Sequence, residues 1–119
     1  MYPLLKDKQV LIMKKYNLKL NYNDIIVIKK DNKIIIKRLI GLPNDLITLD
    51  NYVYVNNNKI DDQIIETYGD MPNEVLLGND EYYVLGDNRN HSIDSRFSEI
   101  GLIHKKEIVG KIILINGGK

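Results

Sequence analysis

Short runs of Ile, Val, Leu and Tyr, cut at close intervals by Asn, Asp and Lys, leave this chain few ways to fold. Asp24-Ile25-Ile26-Val27-Ile28 and Lys33-Ile34-Ile35-Ile36-Lys37-Arg38-Leu39-Ile40 are β-branched runs joined by the polar turn Lys30-Asp31-Asn32, which is the pattern of a hairpin. Leu46-Ile47-Thr48-Leu49 and Tyr52-Val53-Tyr54-Val55 flank Asp50-Asn51 as a second hairpin. Asn56-Asn57-Asn58 reads as a third turn, because Asn tolerates positive φ better than most residues. Tyr82-Tyr83-Val84-Leu85 and the run from Glu107 to Ile115 complete the strands. Strands this short at this spacing predict an all-β fold, a sandwich or a barrel. Nothing has the periodicity of an amphipathic helix; Lys105-Lys106-Glu107 is at most one helical turn. Asp61 to Asp80, with Gly69, Pro72, Gly78 and Asn79, reads as a long loop holding one short strand at Glu74-Val75-Leu76-Leu77. Asn116-Gly117-Gly118-Lys119 reads as a frayed tail.

Size and charge narrow the function. A chain of 119 residues is one domain, and 44% hydrophobic residues can fill a modest core. Lys and Arg number 17 against 16 Asp and Glu, a net charge of +1, which argues against a nucleic-acid binder that works by bulk charge. With no Cys there is no disulfide, no thiolate nucleophile and no Cys-based metal site, and 2 His argue against zinc. No metal or cofactor is expected. No apolar run reaches the roughly 18 residues that span a bilayer, and no signal peptide is visible, so the chain as it stands is expected to be soluble.

Gly86-Asp87-Asn88-Arg89-Asn90-His91-Ser92-Ile93-Asp94-Ser95-Arg96 carries the densest chemistry. Asp alternates with Arg at short spacing, and Gly and Asn sit where tight turns are easy. Loops of that kind hold side chains in fixed directions and more often serve a site than a core. Lys37 stands out separately. Strand alternation puts it on one face with Ile35 and Leu39, so it is either an edge charge that blocks aggregation or a partly buried lysine. Burial would lower its pKa, and a neutral amine can take a proton from a hydroxyl. Ser92 alone reads as an ordinary turn serine, and Asp94 with Arg96 as a charge-assisted pair. A Ser-His-Asp triad built on His91 or His104 is not expected, since a triad needs its base held across a cleft from its nucleophile and chain neighbours rarely point at each other.

The motif Gly-Asp-Asn-Arg-x-x-Ser-x-Asp-Ser-Arg at 86–96 resembles the signature box of the bacterial type I signal peptidases. Two more segments agree with that family and come in its order. Ile36-Lys37-Arg38-Leu39-Ile40-Gly41-Leu42-Pro43-Asn44-Asp45 is similar to its Lys-Arg-hydrophobic-hydrophobic-Gly-x-Pro-Gly-Asp box, with Asn44 where Gly is usual. Met1-Tyr2-Pro3-Leu4-Leu5-Lys6-Asp7 is similar to the segment just after the family's nucleophilic serine, so that serine is expected immediately before Met1.

The resemblance implies an all-β catalytic domain over residues 1–119, with coiled antiparallel sheets, Greek-key-like connections and little helix, in which 61–80 is a short version of a variable loop. It implies a serine endopeptidase that cuts signal peptides from secreted preproteins after small residues, with Lys37 as general base. Ser92 would orient Lys37, Asp94 and Arg96 would support it, and Asp87 and Arg89 would hold the loop. Met1, Leu5, Ile34, Ile35 and Ile36 would bind the substrate as an added β-strand with a shallow pocket for a small side chain. An N-terminal membrane anchor would precede the chain and place the enzyme on the outer face of the bacterial cell membrane. Without the serine, the chain would be inactive as it stands. The alternative is a non-catalytic homologue that holds peptides or assists pilus assembly. A self-cleaving repressor domain with the same dyad is a more distant reading, because no helix-turn-helix pattern accompanies it.

Overall fold

The computed structural model describes residues 10–116, and every element in it is short and mostly extended. Ten strands form: β1 Val10–Lys14, β2 Ile25–Lys30, β3 Lys33–Gly41, β4 Leu46–Asp50, β5 Tyr52–Val55, β6 Asn58–Lys59, β7 Glu74–Leu76, β8 Glu81–Leu85, β9 Ile103–His104 and β10 Ile108–Asn116. Helical structure among the described residues amounts to two 3-10 turns, Arg89–His91 and Lys105–Glu107. One sheet has the order β1-β10-β2-β3-β8-β9 and the other β6-β5-β4-β7. Every pairing is antiparallel. The all-β expectation therefore holds.

The asparagines explain why the chain turns where it does. Asp31 and Asn32 take φ of 53° and 65°, so a two-residue loop with both residues left-handed closes β2 onto β3 with Lys30 opposite Lys33. Asn56 and Asn57, at 51° and 70°, do the same between β5 and β6. Asn44, at 73°, sits where the resembling family's box has glycine, and the turn survives the exchange. Asp45 locks that turn by accepting the Leu42 N–H at 2.8 Å.

β1, β6 and β9 have no counterpart among the strands that the sequence pattern predicts. β1 joins the sheet only by pairing with β10, from Val10 opposite Asn116 to Lys14 opposite Lys111, a contact about a hundred residues away that no local pattern announces. That pairing also carries β10 through Asn116, which the composition assigns to a loose tail; 117–119 lie outside the described residues.

The two faces of β3 feed two cores. Ile26, Ile28, Leu39, Tyr82, Val84, Ile100, Ile103 and Ile108 form one, with Ile35 packed against it. Ile40, Ile47, Leu49, Val53, Val55, Ile65, Leu77, Tyr83 and Leu85 form the other, between the sheets. Lys37 lies opposite Ile26 in the register, and Ile35 opposite Ile28, so Lys37 falls on the first of these faces, as strand alternation predicts.

Tyr83 is 2% exposed, and its hydroxyl meets no hydrogen-bond partner among the described residues. Burial pushes that phenol well above its usual pKa. A buried hydroxyl without a partner contributes desolvation and little else. Tyr83→Phe should therefore leave the free energy of urea unfolding within about 1 kcal/mol of the parent or raise it; a larger loss would mean that the hydroxyl is satisfied in solution.

Candidate active site

β3 and the loop after β8 build the site together. β8 ends at Leu85, paired through the ladder with Arg38, and the chain then enters the loop at Gly86 directly beside Lys37. Lys37 Nζ lies 3.0 Å from Ser92 Oγ and is hydrogen-bonded to it, 55 residues away in sequence. Lys37 is half-buried, so it is not an exposed edge charge. Loss of hydration lowers the pKa of its amine below the ordinary 10.5; the Asp94 carboxylate opposes the shift and the Arg96 guanidinium assists it.

Gly86 makes this contact possible. A Cβ on Gly86 would collide with Ser92 Oγ and stand 2.5 Å from Ser92 Cβ and 3.7 Å from Lys37 Nζ. Any side chain there must push Ser92 away from the lysine.

Behind Ser92 the loop is tied by buried charge. Asp94 and Arg96 are both 0% exposed. Asp94 Oδ1 accepts from Arg96 Nε at 2.8 Å, and Oδ2 accepts from Arg96 Nη2 at 2.9 Å, a two-point pair. Asp94 Oδ2 also accepts the Gly86 N–H at 3.0 Å. Arg96 spends its remaining donors on the carbonyls of Arg89 (2.5 Å), Thr67 (2.8 Å) and Ser92 (3.3 Å). Ser95 Oγ accepts the Val84 N–H at 2.9 Å and fastens the loop back to β8. Ser92 is thus held between two residues whose own positions are fixed.

Asp87 and Arg89 reach outward from the loop to different partners. Asp87 accepts from Arg38 Nε at 3.0 Å and Nη2 at 2.8 Å. Arg89, 4% exposed, donates to Asp61 at 2.9 Å and to the Gly86 carbonyl at 3.1 Å. Asn90 completes the tie to the 61–80 segment, accepting the Glu66 N–H at 2.9 Å and donating to the Ile64 carbonyl at 3.2 Å. Arg38, Asp61 and Gly86 are the participants that sequence reasoning missed. Arg38 stands next to Lys37 inside a recognised box and could have been flagged; the Asp61–Arg89 pair spans 28 residues and has no local signal.

The edge of β3 is open next to Lys37. β2 covers Lys33–Arg38 on one side, whereas β8 pairs only with Arg38, Leu39 and Gly41 on the other. Among the described residues no strand covers the β8-side edge from Lys33 to Lys37. Ile34 there is 59% exposed and Ile35 and Ile36 are half-buried. Met1 and Leu5 lie outside the described residues. His91 is exposed on the loop and His104 pairs weakly with Asp80 at 3.5 Å; neither approaches Lys37 in a hydrogen bond. A cavity of about 330 Å³ lined by Tyr22, Asn23, Ile40, Val55 and Asn56 opens on the face of β3 that carries Ile40, away from Lys37. Its one acidic hydroxyl, that of Tyr22, donates to Asp45 at 2.7 Å and is pushed up to about 12, so it stays protonated. No group of three metal-ligating side chains occurs among the described residues.

Known proteins resemble this chain along nearly all its length. The sequence model of the family described as signal peptidase, peptidase S26, matches residues 1–116. Signal peptidase I U of Bacillus subtilis is 35% identical over 97% of this chain and 70% of its own. Signal peptidase I S of the same organism is 32% identical over 92% of this chain and 68% of its own. Among solved structures, a signal peptidase I from Enterococcus faecalis superposes with a TM-score of 0.64 at 25% identity, covering 81% of this chain and 98% of that one.

The lowered Lys37 pKa ties stability to pH. Between the folded value and 10.5 the unfolded chain holds a proton that the folded chain has released, so Lys37 makes stability rise with pH across that window. Below the window the amine is charged in both states, and its full desolvation penalty is present. Lys37→Met removes that penalty. Urea unfolding at a series of pH values should show its stabilisation relative to the parent at its largest on the acid side and shrinking toward pH 10.5; a difference independent of pH would contradict a desolvated amine.

Proposed function

The chain belongs to the signal peptidase family, peptidase S26, and on that premise we propose that residues 1–119 are the catalytic domain of a membrane-associated serine endopeptidase that releases secreted proteins from their signal peptides. The observation that carries this reading is the half-buried Lys37 amine, 3.0 Å from Ser92 Oγ, with its pKa lowered by desolvation. Desolvation favours the uncharged amine, the form that can accept a proton, more than it does at an ordinary surface lysine.

The mechanism is acyl transfer. The nucleophile is a serine directly ahead of Met1, the position at which the family resemblance expects it. Its hydroxyl attacks the scissile carbonyl while Lys37 Nζ takes the hydroxyl proton. The tetrahedral intermediate collapses, the C–N bond breaks, and Lys37 returns the proton to the departing amine. Water, deprotonated by the same lysine, then attacks the ester and frees the serine. Ser92 fixes the direction of the lysine lone pair and touches no bond that breaks, so it is a positioning residue. Asp94, Arg96, Asp87 and Arg89 keep the loop in shape.

The leader binds as an extra strand on the open edge of β3. Main-chain hydrogen bonds from Lys33–Lys37 supply affinity, and alternate side chains meet Ile34, Ile35 and Ile36, with Met1 and Leu5 completing a shallow pocket for a small residue. No helix of the described residues is long and apolar enough to cross a membrane. The anchor that holds the enzyme to the outer face of the cell membrane belongs to a segment ahead of residue 1. A homologue that only holds peptides, or assists pilus assembly, has no use for a lysine desolvated beside a serine hydroxyl; Lys37 favours the hydrolase.

In a chain carrying serine directly before Met1, Lys37→Ala should lower cleavage of a signal-peptide substrate by at least about 10²-fold, the usual contribution of a positioned base. Circular dichroism should show the variant folded. Full activity in that variant would remove Lys37 from the mechanism.

A further inference from the structure

β8 borders β3 only from Arg38 onward. Short of that point, β3 and the segment ahead of β9 share a cavity of about 100 Å³. Lys33 and Ile35 line it from β3, Glu99 and Ile100 from the other segment, and Lys30 with Asp31 from the hairpin turn. Strand alternation puts Lys33 and Ile35 on the same face of β3 as Lys37. Both walls are anchored. Lys30 Nζ donates to the Leu102 carbonyl at 2.9 Å and stands 3.6 Å from Glu107. Ile100 is buried in the core that holds Ile26, Ile28 and Leu39, with Ile35 packed against it.

Size and lining say what fits. Pockets for small-molecule ligands run to about 300–1,000 Å³, and an apolar cavity of about 150 Å³ holds a benzene. A space of about 100 Å³ is room for one aliphatic side chain. Ile35 and Ile100 give it apolar walls, and the charges around it, Lys30 and Lys33 against Asp31 and Glu99, balance and favour neither sign. The position of the cavity says where such a side chain comes from. The β8-side edge of Lys33–Lys37 is the edge left open to an added strand. Residues of that strand opposite Lys33 and Ile35 point to the same face as those two, with Cβ atoms about 5 Å away. Residues opposite Ile34 and Ile36 point to the other face. At about 3.3 Å per residue, Ile35 lies ~7 Å and Lys33 ~13 Å along β3 from Lys37.

We infer that this cavity between β3 and the Glu99–Ile100 segment is a subsite for one aliphatic side chain of the leader, two to four residues upstream of the residue opposite Lys37. The inference rests on the strand-addition reading of the proposed function and deepens it. It adds a position at which the enzyme selects an apolar residue, separate from the small residue at the cut.

The test uses the chain as it exists, with Ile methyl groups labelled with ¹³C and the Ile100 and Ile34 signals assigned by Ile100→Val and Ile34→Val. The probes are an alanine peptide long enough to span Lys33–Lys37, with a lysine at its amino end for solubility, and its variants with one leucine moved through each position before the last. The Ile34 methyl, on the open edge, should shift with every peptide. Leucine at one position, or at two positions two apart, should tighten binding about tenfold, what roughly two buried methylene groups contribute, and should shift the Ile100 methyl. Leucine at the positions between should do neither. Glu99 is exposed, so Glu99→Trp covers the mouth of the cavity without touching the core, and the gain from leucine should vanish in it. An Ile100 methyl that stays still with every leucine while Ile34 responds overturns the inference alone, as does a gain that is equal at all positions or survives Glu99→Trp. If no peptide moves Ile34, the strand-addition reading fails and the inference falls with it.

Discussion

The buried pair of Asp94 and Arg96 is the constraint on which the site depends. Taking both charges out of water costs several kcal/mol each unless every lone pair and proton finds a partner. Here each polar atom of the pair finds at least one: the carboxylate meets the guanidinium and the Gly86 N–H, and the guanidinium caps carbonyls of Arg89, Thr67 and Ser92. Removing one partner would strand the other in the interior, at a typical cost of about 3–5 kcal/mol. The loop thus has one way to fold, and Ser92 inherits a fixed position from it. The Thr67 carbonyl and the Met71 N–H, which donates to the Arg96 carbonyl at 3.0 Å, fasten the 61–80 segment to the same knot. Gly69, at φ of 81°, packs its Cα against the Arg96 carbonyl, where a side chain would not fit.

Lys37 gains its properties from the strand as much as from the loop. Its face of β3 looks into an apolar core through Ile35 and Leu39, and β2 and the loop take water from its sides. Desolvation is the largest influence on its pKa and lowers it; Asp94 opposes that shift, and Arg96 partly cancels Asp94. The buried pair can therefore stand behind the amine without cancelling the effect of its desolvation. A carboxylate in the same place with no guanidinium beside it would offset more of that desolvation. The arrangement separates the two demands on the loop: rigid support, which needs charge, and a lysine with a lowered pKa, which needs that charge balanced.

Much of this is legible in the sequence, for identifiable reasons. The β2–β3 hairpin is readable because Asp31-Asn32 can turn only a few ways and the runs on either side are β-branched. The side of β3 on which Lys37 falls comes from alternation. The charge-assisted pairing of Asp94 with Arg96 comes from chemistry at a spacing of two. Partners at a distance have no such signal: Arg38 for Asp87, Asp61 for Arg89, β10 for β1. Nor does the sequence show that Gly86 is required, since that depends on how close Ser92 comes to Lys37 once the loop has folded.

The chemistry of the site turns on the protonation state of one amine. Direct titration of Lys37 Nζ by heteronuclear NMR, with Lys37→Met to identify the signal, measures it without any assay of function. The expected midpoint is clearly below 10.5 and moves when Ser92→Ala removes the hydrogen bond. A midpoint at 10.5 or above, unmoved by that substitution, would mean that Lys37 is an ordinary charged lysine and that the site has no base.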